Sequence, residues 1–251
     1  MTEITSRKNK AVLDTVALHT KKGRDEAGLF FTEGAKLLGE AASAGRTPVR
    51  IFVTERFLSE HGGLLPDCDT VKVTDEVYGK MTDENAPEGV LAIFEKKEII
   101  PVKDSSVLLL EGIQDPGNLG TLIRCATAFG VREVLTVGCA DLYSPKTVRA
   151  TMGAIFRMPC RAFASTEDAI AYGRRSCKTV LATALHTDSI TLEEADTSRA
   201  VIMIGSEGRG LSERAIELSD KRVIIPIEGI ESLNASVAGA ICMYDSMMKR
   251  K

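Results

Sequence analysis

The run Ala200-Val-Ile-Met-Ile-Gly205 opens into the loop SEGRGLS, and a second run, Arg222-Val-Ile-Ile-Pro-Ile227, opens into EGIESLNAS before a helical pattern begins. Two short apolar runs that each end in a loop of glycines and hydroxyls mark strands at the ligand edge of a parallel sheet. At that edge the loops offer backbone N–H and C=O groups to a ligand. Neither loop fits a nucleotide fingerprint. GSEGRG lacks the glycine spacing of a dinucleotide turn, and no GK[ST] closes a phosphate loop.

Outward from these runs the same alternation continues. Strands are expected at 107–113, 131–137, 179–185, 200–205 and 221–227, and helices at 119–129, 145–156, 167–176, 212–219 and 235–249. Strand–helix alternation implies a parallel sheet covered on both faces. Ser144 before Pro145 reads as a hydroxyl cap with proline at the first helical position. The charged stretch KKEIIPVKDSS, residues 96–106, reads as a linker. Ahead of it a helix is expected at about 7–22, a strand at 29–32, a helix at 33–44 and strands at 49–54, 70–74 and 89–95. The expected organisation is therefore a small α/β domain over 1–95, a linker over 96–106 and a larger α/β domain over 107–251.

The bulk numbers describe an ordinary globular chain. Its 251 residues are 44% hydrophobic and 27% charged, enough for a full core. A net charge of −3 gives no hint of a nucleic-acid partner. With no tryptophan and 5% aromatics, base stacking on an aromatic platform is not expected. Six cysteines lie far apart without a CxxC, and His19, His61 and His186 cluster with none of them, so zinc spacing is absent. Free thiols in a reducing cytoplasm are expected. The polar start MTEITSRKNK is no signal peptide, and no apolar run nears the roughly 18 residues of a membrane span.

Three loops could carry chemistry. The first, Gln114 to Gly120, follows the strand at 107–113; Asn118 is placed to cap the next helix. On that helix Leu119, Leu122, Ile123, Ala126 and Phe129 form the apolar stripe, and Arg124 projects from another face. A guanidinium beside a glycine-rich helix start suits a phosphate or carboxylate. A plain turn, cap and solvated arginine read equally well from spacing alone. The second loop carries Glu207 among glycines, or is a simple strand-to-helix connection. In the third, Ser232, Asn234 and Ser236 precede the stripe Val237, Ala240, Ile241, Tyr244 and Met248, and either Asn234 or Ser232 could merely cap the last helix. The nearby Met243, Met247 and Met248 read as a packing or dimer face. Residues 1–24 form a basic run in which Arg7, Lys8, Lys10 and Arg24 could meet RNA phosphates, or simply make a solvated helix face.

Together these loops resemble the SpoU/TrmH family of RNA ribose 2′-O-methyltransferases, within the SPOUT superfamily. DPGNLGTLIRCATAFG is similar to the family's first motif, IGSEGRGLS to its second and IPIEGIESLNASVA to its third. ITSRKNK, KGR, LFFTEGAKLL and NAPEGVLA resemble the substrate-binding domain often joined to it. The pairing resembles the ribosomal RNA branch more than the tRNA branch, whose members usually lack the front domain. Between Pro226 and Ser232 the chain is one residue shorter than the common family pattern.

The resemblance implies a SPOUT domain with a deep trefoil knot, a rare exception to unknotted topology, and a small α/β ribosomal-protein-like domain in front. It implies a homodimer whose active site draws on both chains, with RNA as substrate, S-adenosylmethionine as methyl donor and no metal. Gly205, Ile225 and Leu233 match the family positions whose backbone holds the cofactor. Asn118, Arg124, Glu207, Ser232 and Asn234 match its polar active-site set. A tRNA ribose methyltransferase, and a non-catalytic RNA-binding or ribosome-assembly protein on the same fold, are the competing readings. A flavodoxin-like nucleotide enzyme rests only on the α/β alternation.

Overall fold

In the computed structural model, which describes residues 1–102 and 104–250, the chain divides into two units. One is Met1–Lys97 with Tyr143–Phe156; the other is Glu98–Leu142 with Arg157–Lys251.

The first unit holds β1 (Thr2–Ile4), α1 (Lys10–Ala17), α2 (Lys21–Ala27), β2 (Leu29–Glu33), α3 (Ala35–Ser43), β3 (Arg50–Val53), α4 (Glu55–His61), β4 (Thr70–Val73), α5 (Asp75–Met81) and β5 (Val90–Glu95). The strands form one sheet in the order β1-β4-β3-β5-β2, parallel up to β3 and antiparallel at β5. Both faces are covered. Phe30, Ile51, Val53, Val90, Ala92 and Phe94 point into one cluster, and Phe31, Phe52, Leu91 and Ile93 into the other. That is why these strands read as continuous apolar runs.

The single helix expected at 7–22 is two helices. Thr20 interrupts it, its hydroxyl accepting from Gly23 N at 3.0 Å to start α2. Arg24, on α2, is 3% exposed, and its Nη1 donates to the carbonyls of Leu18 at 2.7 Å and His19 at 2.9 Å. It thus satisfies carbonyls freed at the end of α1. The helices α4 and α5 were not anticipated. Each starts at a threonine cap, Thr54 and Thr74, the signal that would have revealed them.

The second unit is built on β6 (Val107–Glu111), α6 (Pro116–Ala128) and β7 (Val134–Val137). After α7 (Pro145–Ala150) come β8 (Cys160–Phe163), α8 (Thr166–Gly173), β9 (Thr179–Thr183), β10 (Ile190–Thr191), β11 (Ala200–Ile204), α9 (Glu213–Glu217), β12 (Lys221–Ile224) and α10 (Ala235–Lys249). Seven strands make a wholly parallel sheet in the order β10-β12-β9-β11-β6-β7-β8. The α/β class with a parallel C-terminal sheet is as the sequence led us to expect. Val107, Leu109, Leu135, Val180, Val201 and Met203 pack with Ala169 and Ile170 of α8 and Ala215 of α9. On the alternate face, α6 and α10 lie against each other and bury Leu119, Leu122, Ile123, Ala126, Cys242 and Met243.

The helix expected at 145–156 starts at the Ser144 cap but ends at Ala150. Met152 (φ 49°) and Gly153 (φ 89°) reverse the chain before a 3₁₀ turn at Ala154–Phe156. This segment belongs to the first unit. Phe156 packs tilted against Phe94 with ring centroids 4.9 Å apart, and Tyr143 against Phe30 at 4.9 Å. Arg149 pairs with Asp83 at 3.2 Å and Glu84 at 2.5 Å. The front unit's core is therefore completed by residues from beyond the 96–106 stretch.

Candidate active site

The chain leaves β6 and enters α6 through Asp115, whose Oδ1 accepts from Asn118 N at 2.8 Å, with Pro116 at the first helical position. The expected cap at Asn118 is thus corrected: Asp115 has the extended backbone a cap needs (φ −78°, ψ 120°). Asn118 falls three residues into the helix, so its side chain is released. Its Nδ2 donates to Glu207 Oε1.

Glu207 sits at the tip of a tightly closed loop after β11. Ser206 and Gly210 exchange two backbone hydrogen bonds, 3.2 and 2.8 Å long. A Cβ on Gly205 would lie 2.1 Å from the Gly210 carbonyl carbon and 2.2 Å from Leu211 N, so only glycine fits at the root of this loop. Ser212 ends the loop and caps α9, accepting from Ala215 N at 3.1 Å.

The third loop brings Asn234 to the same place. Its Oδ1 caps α10, accepting from Ser236 N at 2.9 Å, while its Nδ2 faces Asn118 Oδ1 at 3.3 Å and Glu207 Oε1 at 3.4 Å. Cap and candidate site are therefore one residue. Glu207 Oε2 makes no hydrogen bond to the described residues and is open to a ligand hydroxyl or cation.

The remaining expected residues stand apart. Arg124 is exposed on α6 and pairs with none of the described residues. Six residues beyond Asn118, it lies about 9 Å further along the helix axis and about 240° around it. Ser232 is exposed and bonds to none of the described residues, while Ile225 and Leu233 are half-buried at the two ends of the third loop. Residues 226–233 make no backbone hydrogen bond with other described residues, so their N–H and C=O groups are available. Together with the close backbone approach at Gly205, at the end of β11 in the same sheet, these groups fit a cofactor held by main chain.

In the first unit, Arg7 pairs with Glu76 at 3.6 Å and Lys10 with Asp14 at 2.7 Å, whereas the Lys8 side chain pairs with none of the described residues. Arg24 is corrected as an RNA contact: it is buried and fully engaged with the carbonyls that end α1.

The loops after β11 and β12 were expected at one sheet edge, with no strand order given; β9 stands between those strands. The turn at 184–189 thus leaves the same sheet edge between the two loops. There His186 Nδ1 lies 2.6 Å from Asp188, which also takes Arg222 at 2.8 Å. The hydrogen bond from His186, and then the Arg222 charge, hold the Asp188 carboxyl below its usual range. No local pattern announces this turn, because strand order is not written in any one stretch of sequence.

Comparison with known proteins bears on the same loops. The model of the SpoU rRNA Methylase family matches residues 105–244, and that of the MRM3-like substrate binding domain matches 9–92. The chain is 31% identical to the 23S rRNA (guanosine(2553)-2′-O)-methyltransferase RlmP of Bacillus subtilis (strain 168), over 97% of this chain and 98% of that protein. A crystal structure of an AdoMet-bound rRNA methyltransferase from Sinorhizobium meliloti superposes with a TM-score of 0.85 and 32% identity, covering 98% of this chain and 97% of the other. A structure concerned with 2-OH methylation of C/U34 on tRNA covers 59% of this chain and 97% of its own, with a TM-score of 0.52 and 25% identity.

Proposed function

The chain belongs to the SpoU rRNA methylase family and is an S-adenosylmethionine-dependent RNA ribose 2′-O-methyltransferase; we propose that ribosomal RNA is its substrate and that it works as a homodimer. The observation that carries the reading is the meeting of Asn118, Glu207 and Asn234 from three separate loops at one sheet edge. A non-catalytic protein on this fold has no need of that cluster. Similarity to rRNA enzymes over nearly the whole chain, against 59% for the tRNA enzyme, favours ribosomal RNA.

S-adenosylmethionine supplies a methyl group already activated by the positive sulfonium. The backbone at Gly205, Ile225 and Leu233 holds the cofactor, and Glu207, Asn118, Ser232 and Asn234 orient the ribose hydroxyl in line. Arg124 stabilises negative charge forming on that oxygen. A guanidinium hardly deprotonates, so the proton passes to an adjacent phosphate of the RNA.

In one chain Arg124 lies away from the cluster, which supports a site assembled from two chains. The outer face of α10 carries Val237, Ile241, Tyr244 and Met248, all exposed, beside α6 where Arg124 stands; Tyr244 meets Phe129 at 5.8 Å. An apolar stripe of this kind suits a twofold interface, across which Arg124 of the partner subunit completes the site. The trefoil knot is part of the same proposal and rests on membership of the family. All six cysteines are free thiols, which suits a reducing cytoplasm. Residues Arg7, Lys8 and Lys10 of the front unit contribute to RNA binding.

The test is to map ribose 2′-O-methylation across ribosomal RNA in cells with and without this protein. Loss of one or more modified riboses supports the reading, and an unchanged map counts against it.

A further inference from the structure

We infer that Glu111 is a positioning residue for methyl transfer, acting through the 205–212 loop on Glu207; this rests on the methyltransferase reading above. Glu111 is the last residue of β6 and points its carboxylate at the returning end of that loop. Oε2 accepts from Ser212 N at 2.7 Å, and Oε1 accepts from Ser212 Oγ at 3.0 Å and from Thr166 Oγ1 at 2.5 Å. One carboxylate thus ties together the start of α8, the start of α9 and the end of β6.

The loop has other anchors as well: Leu211 is buried in the core, and Glu207 takes Asn118 and Asn234. Its root is fixed by the close approach of Gly205 to Gly210 and Leu211, and its neck by the Ser206–Gly210 bridge. Glu207, Gly208 and Arg209 at the tip are exposed. The β11–β6 pairing holds the ring's root as far as Ile204, and among the described residues the bonds to Glu111 tie its returning end to β6, the strand whose continuation carries Asn118. Gly112, with φ +71°, lets the chain turn away while Ser206 comes within 3.8 Å of where its Cβ would stand. The distance between Asn118 and Glu207 is therefore set from two directions, by the Asp115 cap on one side and by Glu111 on the other. Partners that orient metal ligands from behind are worth about 10- to 100-fold in affinity or activity, and the same scale is taken for Glu111 behind Glu207.

The experiment compares wild type, Glu111→Ala, Glu111→Gln, Glu207→Ala and the double variant Glu111→Ala/Glu207→Ala. It measures S-adenosylmethionine Kd by calorimetry, kcat with a labelled methyl donor on ribosomal RNA, and thermal unfolding. We expect Glu111→Ala to raise the Kd about tenfold and lower kcat about 100-fold while the protein stays folded. In the Glu207→Ala background the same change should move kcat by no more than about twofold, because effects that act through one residue do not add. An equal loss of kcat in both backgrounds overturns the inference. If Glu111→Ala does not fold, Glu111→Gln decides: it keeps one acceptor oxygen, so a smaller loss in Kd and kcat supports the inference and wild-type values overturn it. Absence of methyl transfer by the wild type counts against ribosomal RNA as substrate. The Kd of the Glu111 variants then decides alone, a raised value supporting the inference and an unchanged one overturning it.

Discussion

Asn234 and Asn118 lie 116 positions apart in the chain, and the amide of the first donates to the carbonyl oxygen of the second at 3.3 Å. The Asn234 carbonyl oxygen meanwhile caps α10. One side chain therefore holds a helix start with one end and the candidate active site with the other.

The two tasks separate by substitution. Asn234→Asp keeps a good cap but removes the amide that faces Asn118 and sets a second carboxylate against Glu207. It should melt within a few degrees of wild type and lose about 100-fold or more in kcat. Asn234→Ala should lose activity and also about 1 kcal/mol of stability. Thermal unfolding beside a labelled-methyl assay reads both. Wild-type turnover in Asn234→Asp contradicts a role for the amide.

Much of this was legible in the sequence. The apolar runs at 107–113 and 200–205 identified buried parallel strands because both faces of each are covered; Ser144 announced its helix as a cap, and Asn234 was one of two candidates for the cap of the last helix. What stayed hidden depends on distance in the chain. Asp115 and Asn118 are both competent caps three residues apart, and only the backbone angles choose between them. Arg24 in a basic run looks like a phosphate ligand until the carbonyls of Leu18 and His19 close around it. The position of β9 between β11 and β12, and the docking of Phe156 on Phe94, are long-range choices without a local signal.

Arg24 and Lys8 should behave oppositely. Arg24→Ala leaves two carbonyls at the end of α1 unpaired and should cost about 2–3 kcal/mol in urea unfolding. Lys8→Ala should leave stability unchanged, weaken binding to ribosomal RNA a few-fold and reduce the salt slope by about one charge. Equal stability of the two variants would refute the structural assignment of Arg24.

Phe156 belongs by sequence to the later half of the chain but by packing to the front unit. Phe156→Ala should cost about 3–5 kcal/mol, and the loss should show as faster hydrogen exchange in β2 and β5. A fragment ending at Lys97 lacks the same cover and should expose apolar surface to a hydrophobic dye. Unchanged exchange in β2 and β5 argues against the discontinuous unit.

Glu33 ties the stability of the front unit to pH. Its Oε1 is buried without a partner among the described residues, and burial pushes the carboxyl pKa up from 4.5, although Thr82 and Tyr78 donate to the carboxylate; Asp83 and Glu84 add to the rise. A folded-state pKa above the unfolded value means that ionisation costs stability. The cost is absent below about pH 4.5, grows as pH rises through the folded pKa and then levels off. Glu33→Gln should therefore raise the melting temperature at pH 7.5, by a gain on the order of 1 kcal/mol, and the gain should vanish near pH 4. A gain independent of pH would exclude this origin.

The most direct test of the central claim is methyl transfer by purified protein from labelled S-adenosylmethionine to unmodified ribosomal RNA, comparing wild type with Arg124→Ala. The wild type should make a ribose resistant to alkaline cleavage, while Arg124→Ala binds the cofactor with nearly unchanged Kd and transfers no measurable methyl. Full transfer by Arg124→Ala, or none by the wild type, would contradict the account.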